Sequence, residues 1–103
     1  MTLTSRERAE LRAEAHHLTP QVHVGQQGVS PTVVQALDDA LRTRELVKVQ
    51  LGRGAELSVR EAAAALAEAT GASVVQTIGK TATLYRENPE LRRKPGDLPP
   101  WRR

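Results

Sequence analysis

The chain contains no cysteine. Disulfide scaffolds, thiolate metal sites and thiol nucleophiles are excluded together by that one absence. It is also consistent with a reducing compartment. Phenylalanine is missing too, and Tyr85 and Trp101 are the only tyrosine and tryptophan. Two such rings are too few for a surface that reads bases by stacking them on several aromatic platforms. The core must therefore be assembled from Leu, Val, Ile and Ala. No apolar run approaches the ~20 residues of a membrane-spanning helix. The first twelve positions lack the apolar stretch of a secretory signal. The expectation is a cytoplasmic protein with no membrane partner.

What is present suits one domain: 103 residues, 39% hydrophobic and 26% charged, an ordinary globular balance. The net charge of +3 invites a nucleic-acid reading, but its position weakens that argument. From Asn88 onward the basic residues are Arg92, Arg93, Lys94, Arg102 and Arg103, against Glu90 and Asp97, so the tail holds the whole excess. Positions 1–87 are neutral overall, and any attractive field there must come from segregated charge. The expected division is a folded domain over 1–87 and a basic, proline-rich, flexible tail over 88–103.

Local signals order the elements. Thr4 and Glu7 have capping-box spacing ahead of a helix over about Ser5–Leu18, which Pro20 ends. A short strand at Gln21–Val24 leads through Gly25-Gln26-Gln27-Gly28 into a second helix. Ser30 is its N-cap and Pro31 its first residue, and it ends near Arg42–Arg44. Leu46–Leu51 alternates as a half-buried strand. Ser58 and Glu61 cap a third helix, with Ala62, Leu66 and Ala69 inward and Gly71 beyond its end. Strands at Ala72–Ile78 and Thr81–Arg86 flank a Gly79-Lys80 turn. Val74 and Val75 compete for the inward face of the first of these. There is no internal repeat. The order α-β-α-β-α-β-β points to an α/β two-layer sandwich on a mixed four-stranded sheet.

The most informative motif is strand–GxxG–helix over Val22–Leu37. Glycines let a ligand approach the backbone closely, and the helix N-terminus offers unpaired N–H groups with a partial positive charge. KH domains hold nucleic-acid backbone with such a loop. Taken alone, GxxG also fits a plain strand–helix turn. Gly79-Lys80-Thr81 resembles the end of a P-loop but lacks a glycine at Val74 and precedes a strand. His16, His17 and His23 have no ligand spacing for a metal. Asp38 and Asp39 diverge on a helix and make no acid/base pair. Arg8, Arg12 and His16 share a helical stripe, interleaved with Glu7, Glu10 and Glu14, so a solvated face is an equal reading. No catalytic residues, metal, cofactor or small-molecule substrate are indicated.

Three stretches together carry a family resemblance: LRAEAHHLTPQVHVGQQGVSPTVVQALDDAL, then RELVKVQL, then GASVVQTIGKTATLYR. They span Leu11–Arg86 and resemble a CRM domain, the YhbY-like family of RNA-binding proteins linked to ribosome maturation and to chloroplast intron splicing. The resemblance implies a fold similar to the C-terminal domain of translation initiation factor 3. It also implies a non-enzymatic, monomeric protein whose partner is rRNA in a large ribosomal subunit precursor, bound during ribosome assembly. The RNA-binding residues it implies are Gly25 and Gly28 of the loop, Lys48 of the ELVKV strand, and Lys80 and Arg86 of the hairpin. Gln26 and Gln27 complete the loop, and Arg8 and Arg12 add a basic face. The family commonly has lysine where this chain has Gln26; Arg92, Arg93 and Lys94 could compensate. A rival expectation is an adaptor that docks on a ribosomal protein or assembly factor through the open sheet face, Tyr85 included.

Overall fold

The computed structural model describes residues 3–91. The elements run α1 (Ser5–Ala15), β1 (Val22–Val24), α2 (Pro31–Arg44), β2 (Leu46–Leu51), α3 (Val59–Thr70), β3 (Ser73–Ile78), β4 (Thr81–Tyr85) and a 3-10 turn at Pro89–Leu91. Both capping boxes form. Thr4 accepts from the Glu7 N–H at 3.1 Å and its own N–H donates to the Glu7 carboxylate at 3.0 Å. Ser58 and Glu61 do the same at 3.1 and 2.9 Å. These bonds hold the Glu7 and Glu61 carboxyls below the usual carboxylate range.

The sheet order is β1-β2-β4-β3. β1 and β2 are parallel, and β4 runs antiparallel to both β2 and β3. The β3–β4 hairpin therefore folds back so that β4 inserts between the parallel β2 and β3. Gly79 has φ +57 and Lys80 does not. A positive φ at the first turn residue alone is the pattern of a II′ hairpin, not of a phosphate-binding loop.

The main core lies between the sheet and α2 with α3. Val22, Val24, Val47, Val49, Ala82 and Leu84 of the sheet meet Leu37, Leu41, Ala62, Ala63 and Leu66 of the helices. Ala69, expected inward, is exposed, and Ala63 takes its place in the packed face. α1 adds a partial layer on the opposite face, where Leu3, Leu11, Leu46, Val75 and Tyr85 form a second cluster. It stops at Ala15, three residues short of the expectation. Its end tightens into successive three-residue turns, His16 to Ala13, His17 to Glu14 and Leu18 to Ala15.

The competition between Val74 and Val75 resolves through a β-bulge. Val74 pairs with Leu84 and Gln76 with Thr83, which leaves Val75 as the extra residue. Val74 then packs toward α3 and Val75 toward α1, so both valines are used.

Candidate functional site

β1 and β2 are parallel, so their C-terminal ends lie at the same end of the sheet, with the Gly79-Lys80 turn beside them. Three loops meet there. The Leu51 N–H donates to the Lys80 carbonyl at 2.7 Å, and the next residue, Gly52, donates to the Val24 carbonyl at 2.8 Å. Two consecutive residues of β2 and its exit thus join the hairpin to the GxxG loop.

Within the loop, the Gly28 N–H donates to the Gly25 carbonyl at 3.0 Å and the Ser30 N–H to the Gly28 carbonyl at 3.0 Å. Ser30 caps α2 by accepting from the Val33 N–H at 3.3 Å. Among the described residues, the N–H groups of Gln26, Gln27, Val29 and Thr32 meet no acceptor. The first turn of α2 contains no acidic side chain. The loop and the helix start border an open concavity of 440 Å³ that includes Ser30, Thr32 and Val33.

The two loop glycines differ in what requires them. Gly28 has φ +68, a conformation side chains rarely adopt. Gly25 does not have a positive φ, and a Cβ added to it would meet nothing within 4 Å. Neither its conformation nor its packing calls for glycine.

The sheet face bearing α1 is graded in three cross-strand rows. Leu46 and Tyr85, paired, lie under α1 with Val75. Lys48, Thr83 and Gln76 form the middle row, with Thr83 buried and Lys48 and Gln76 half-buried on either side of it. His23, Gln50, Thr81 and Ile78 form the row beside the loops, where Ile78 is 54% exposed. Tyr85, at 7%, is covered and does not belong to the open face.

The cations separate by location. Lys80 stands exposed on the hairpin turn at the same end of the sheet as the GxxG loop, with the end of β2 between them. Lys48 lies two residues before the exposed row. Arg86 is not at this end. Its guanidinium donates to the Asp38 carboxylate at 2.7 Å, the Thr70 carbonyl at 2.7 Å and the Asp38 carbonyl at 3.2 Å. That engagement fastens the end of β4 to α2 and α3, away from the loop. The Arg86 hydrogen bond is also the main reason the Asp38 carboxyl sits below its ordinary value, with Arg42 adding to it. Arg8 donates to the Val74 carbonyl at 2.8 Å and pins α1 to β3. Arg12 is exposed on α1. Since α1 covers the far end of the sheet, Arg8 and Arg12 are not brought to the loop. Arg92, Arg93 and Lys94 lie outside the described residues.

Glu45 went unnoticed in the sequence. It is fully buried at φ +62, a conformation that favours glycine at a helix end. Its carboxylate accepts from the Asn88 N–H at 2.6 Å, while the Asn88 side chain donates to the Arg42 carbonyl at 2.8 Å. This clasp ties Asn88 to the end of α2.

Residues 3–86 match the CRS1 / YhbY (CRM) domain. The chain belongs to this family. It is 40% identical over 88 residues to Probable RNA-binding protein YqeI of Bacillus subtilis, covering 85% of this chain and 92% of that one. It is 35% identical over 92 residues to an RNA-binding protein of Haemophilus influenzae, covering 88% and 92%. The solution structure of the hypothetical protein SAV1595 from Staphylococcus aureus superposes with a TM-score of 0.71 at 33% identity. That match covers 95% of this chain and all of the other. The GxxG segment thus stands, among the described residues, with the N–H groups of Gln26 and Gln27 lacking acceptors and with a lysine on the hairpin turn at the same end of the sheet.

Proposed function

We propose that the chain binds RNA at the loop end of its sheet and acts as a binding module, not an enzyme. The observation that carries this reading is Gly25, a glycine that neither the fold nor the packing requires, beside N–H groups with no acceptor. A phosphate seated on those N–H groups and on the start of α2 would come within contact of Gly25, where any Cβ would stand in its way. Lys80 and Lys48 supply positive charge around it. Contact is with backbone more than with bases, since among the described residues no aromatic side chain faces the site. The names of the relatives agree with an RNA partner. By resemblance to the YhbY-like group, the RNA is rRNA of a large-subunit precursor, bound by a cytoplasmic monomer during ribosome assembly.

The experiment is binding to a large-subunit rRNA fragment across a salt series, for the wild type and for a Gln26→Asp, Gln27→Asp double variant. Both positions are exposed loop, so the variant keeps the fold. Wild-type affinity should fall as salt rises, by about 0.7–0.9 in the log–log slope per phosphate contact, and the variant should lose most binding. Equal binding by both proteins would move RNA contact away from the loop. It would favour a second reading, an adaptor docking on a protein through the open row that ends in the exposed Ile78.

A further inference from the structure

We propose that Arg53 is a further RNA-binding residue, a phosphate-binding cation that the β2–α3 loop holds against the GxxG loop; the inference rests on the RNA-binding reading above. Arg53 lies outside the three stretches that carry the family resemblance. The structure brings it to the site through its neighbours on both sides. Gly52 donates its N–H to the Val24 carbonyl, immediately before Gly25, and a Cβ there would stand 3.3 Å from that oxygen. Gly54 lies against the Gln26 side chain: a Cβ on it would fall 2.6 Å from Gln26 Cγ. Gly54 also has φ +89, so glycine is needed twice over. Three residues on, Leu57 approaches Gly28, with Cδ2 3.7 Å from where a Cβ would be. The segment from 52 to 57 is therefore packed along the GxxG loop at Val24, just before its first glycine, at Gln26 and at Gly28.

Charge gives this packing a purpose. Gln26 and Gln27 are neutral, so the GxxG loop has N–H donors and no cation of its own. Arg53 sits between the two glycines that touch the loop. It is exposed and has no ion pair or side-chain hydrogen bond among the described residues. A guanidinium offers a planar fork of donors that matches two phosphate oxygens. Backbone N–H groups on one loop and a guanidinium on the next can hold one phosphate from two sides, or two successive phosphates of one strand.

The test compares the wild type, Arg53→Ala, Arg6→Ala and the double variant Arg53→Ala, Gln26→Lys on the same rRNA fragment through a salt series. Arg6, with its side chain 91% exposed on α1, removes the same charge at the far end of the sheet. Arg53→Ala should weaken binding about fivefold at low salt and make the log–log slope shallower by about 0.7–0.9. Arg6→Ala should leave both close to wild type. Adding Gln26→Lys should restore most of the loss, because a side chain at 26 lies beside Gly54. Melting temperatures of all four should agree within about 2 °C, as for exposed substitutions. If Arg53→Ala behaves like Arg6→Ala while Gly25→Ala weakens binding, the assignment of Arg53 is overturned and the loop reading survives. If Arg53→Ala weakens binding but the added lysine restores nothing, Arg53 acts away from the loop and its placement here is wrong. Absence of salt-sensitive binding by the wild type would overturn both.

Discussion

The two ends of the sheet treat their polar groups in opposite ways. At the end where β2 starts and β4 finishes, cations and carbonyls find partners inside the protein. Arg86 holds Asp38 and Thr70, Arg42 holds Asp38 at 2.7 Å, and Arg8 holds Val74. With its amide turned to satisfy both groups, Gln21 accepts from Arg44 at 2.6 Å. Asn88 and the buried Glu45 complete the closure. At the other end, among the described residues, Lys80 and Arg53 have no carboxylate partner, and the N–H groups of Gln26, Gln27 and Val29 have no acceptor. Unsatisfied donors persist cheaply only where water, or a ligand, can reach them. The difference teaches that position, more than residue type, separates structural from ligand-facing arginines in this chain.

The largest effect should come from the closed end. Arg86→Ala removes three hydrogen bonds and leaves a half-covered carboxylate without its main partner, at a cost of roughly 2–4 kcal/mol in denaturant unfolding. RNA affinity of the remaining folded protein should stay near wild type, and a specific loss of affinity in fully folded Arg86→Ala would break the comparison. Gly28→Ala should come next, at about 1–2 kcal/mol, because alanine must adopt φ +68. The Asp38 carboxyl is lowered in the folded state, so its stabilisation is complete above the ordinary carboxylate value. It is lost as pH falls through the lowered one. Unfolding free energy measured from neutral pH downward should therefore decline below about pH 4, and Asp38→Asn should flatten that decline. Gly25→Ala should be stabilising by about 0.4–1 kcal/mol, through reduced freedom of the unfolded chain, since its φ suits alanine. The smallest change in stability, within about 0.5 kcal/mol, is expected for Lys80→Ala, whose consequence should appear in the salt dependence of RNA binding instead.

How much of this was legible in the sequence depends on the range of the interaction. Thr4–Glu7, Ser58–Glu61 and Ser30–Pro31 fixed helix starts because each cap closes within three residues. Gly79-Lys80 read as a hairpin for the same reason, and the GxxG loop as a candidate ligand site. The unreadable features are long-range. Arg86 meets Asp38 across 48 positions, and Arg8 meets Val74 across 66. A basic residue in a family motif carries no local sign of whether it faces a ligand or a carbonyl. The bulge at Val75 arises because both sheet faces are covered near α1, which a two-sided valine pair only hints at. Glu45 adopts a glycine-like conformation that its residue type argues against. For Arg53 a signal did exist: a cation between two glycines, at the exit of a strand parallel to the one that leads into GxxG.

The most direct test of the central claim is the rRNA affinity of Gly25→Ala, measured alongside its stability. The variant should be at least as stable as wild type and bind about tenfold more weakly, because the added methyl meets phosphate and nothing else. Wild-type affinity in a stable Gly25→Ala would contradict that claim, and would leave the GxxG segment as a turn between a strand and a helix.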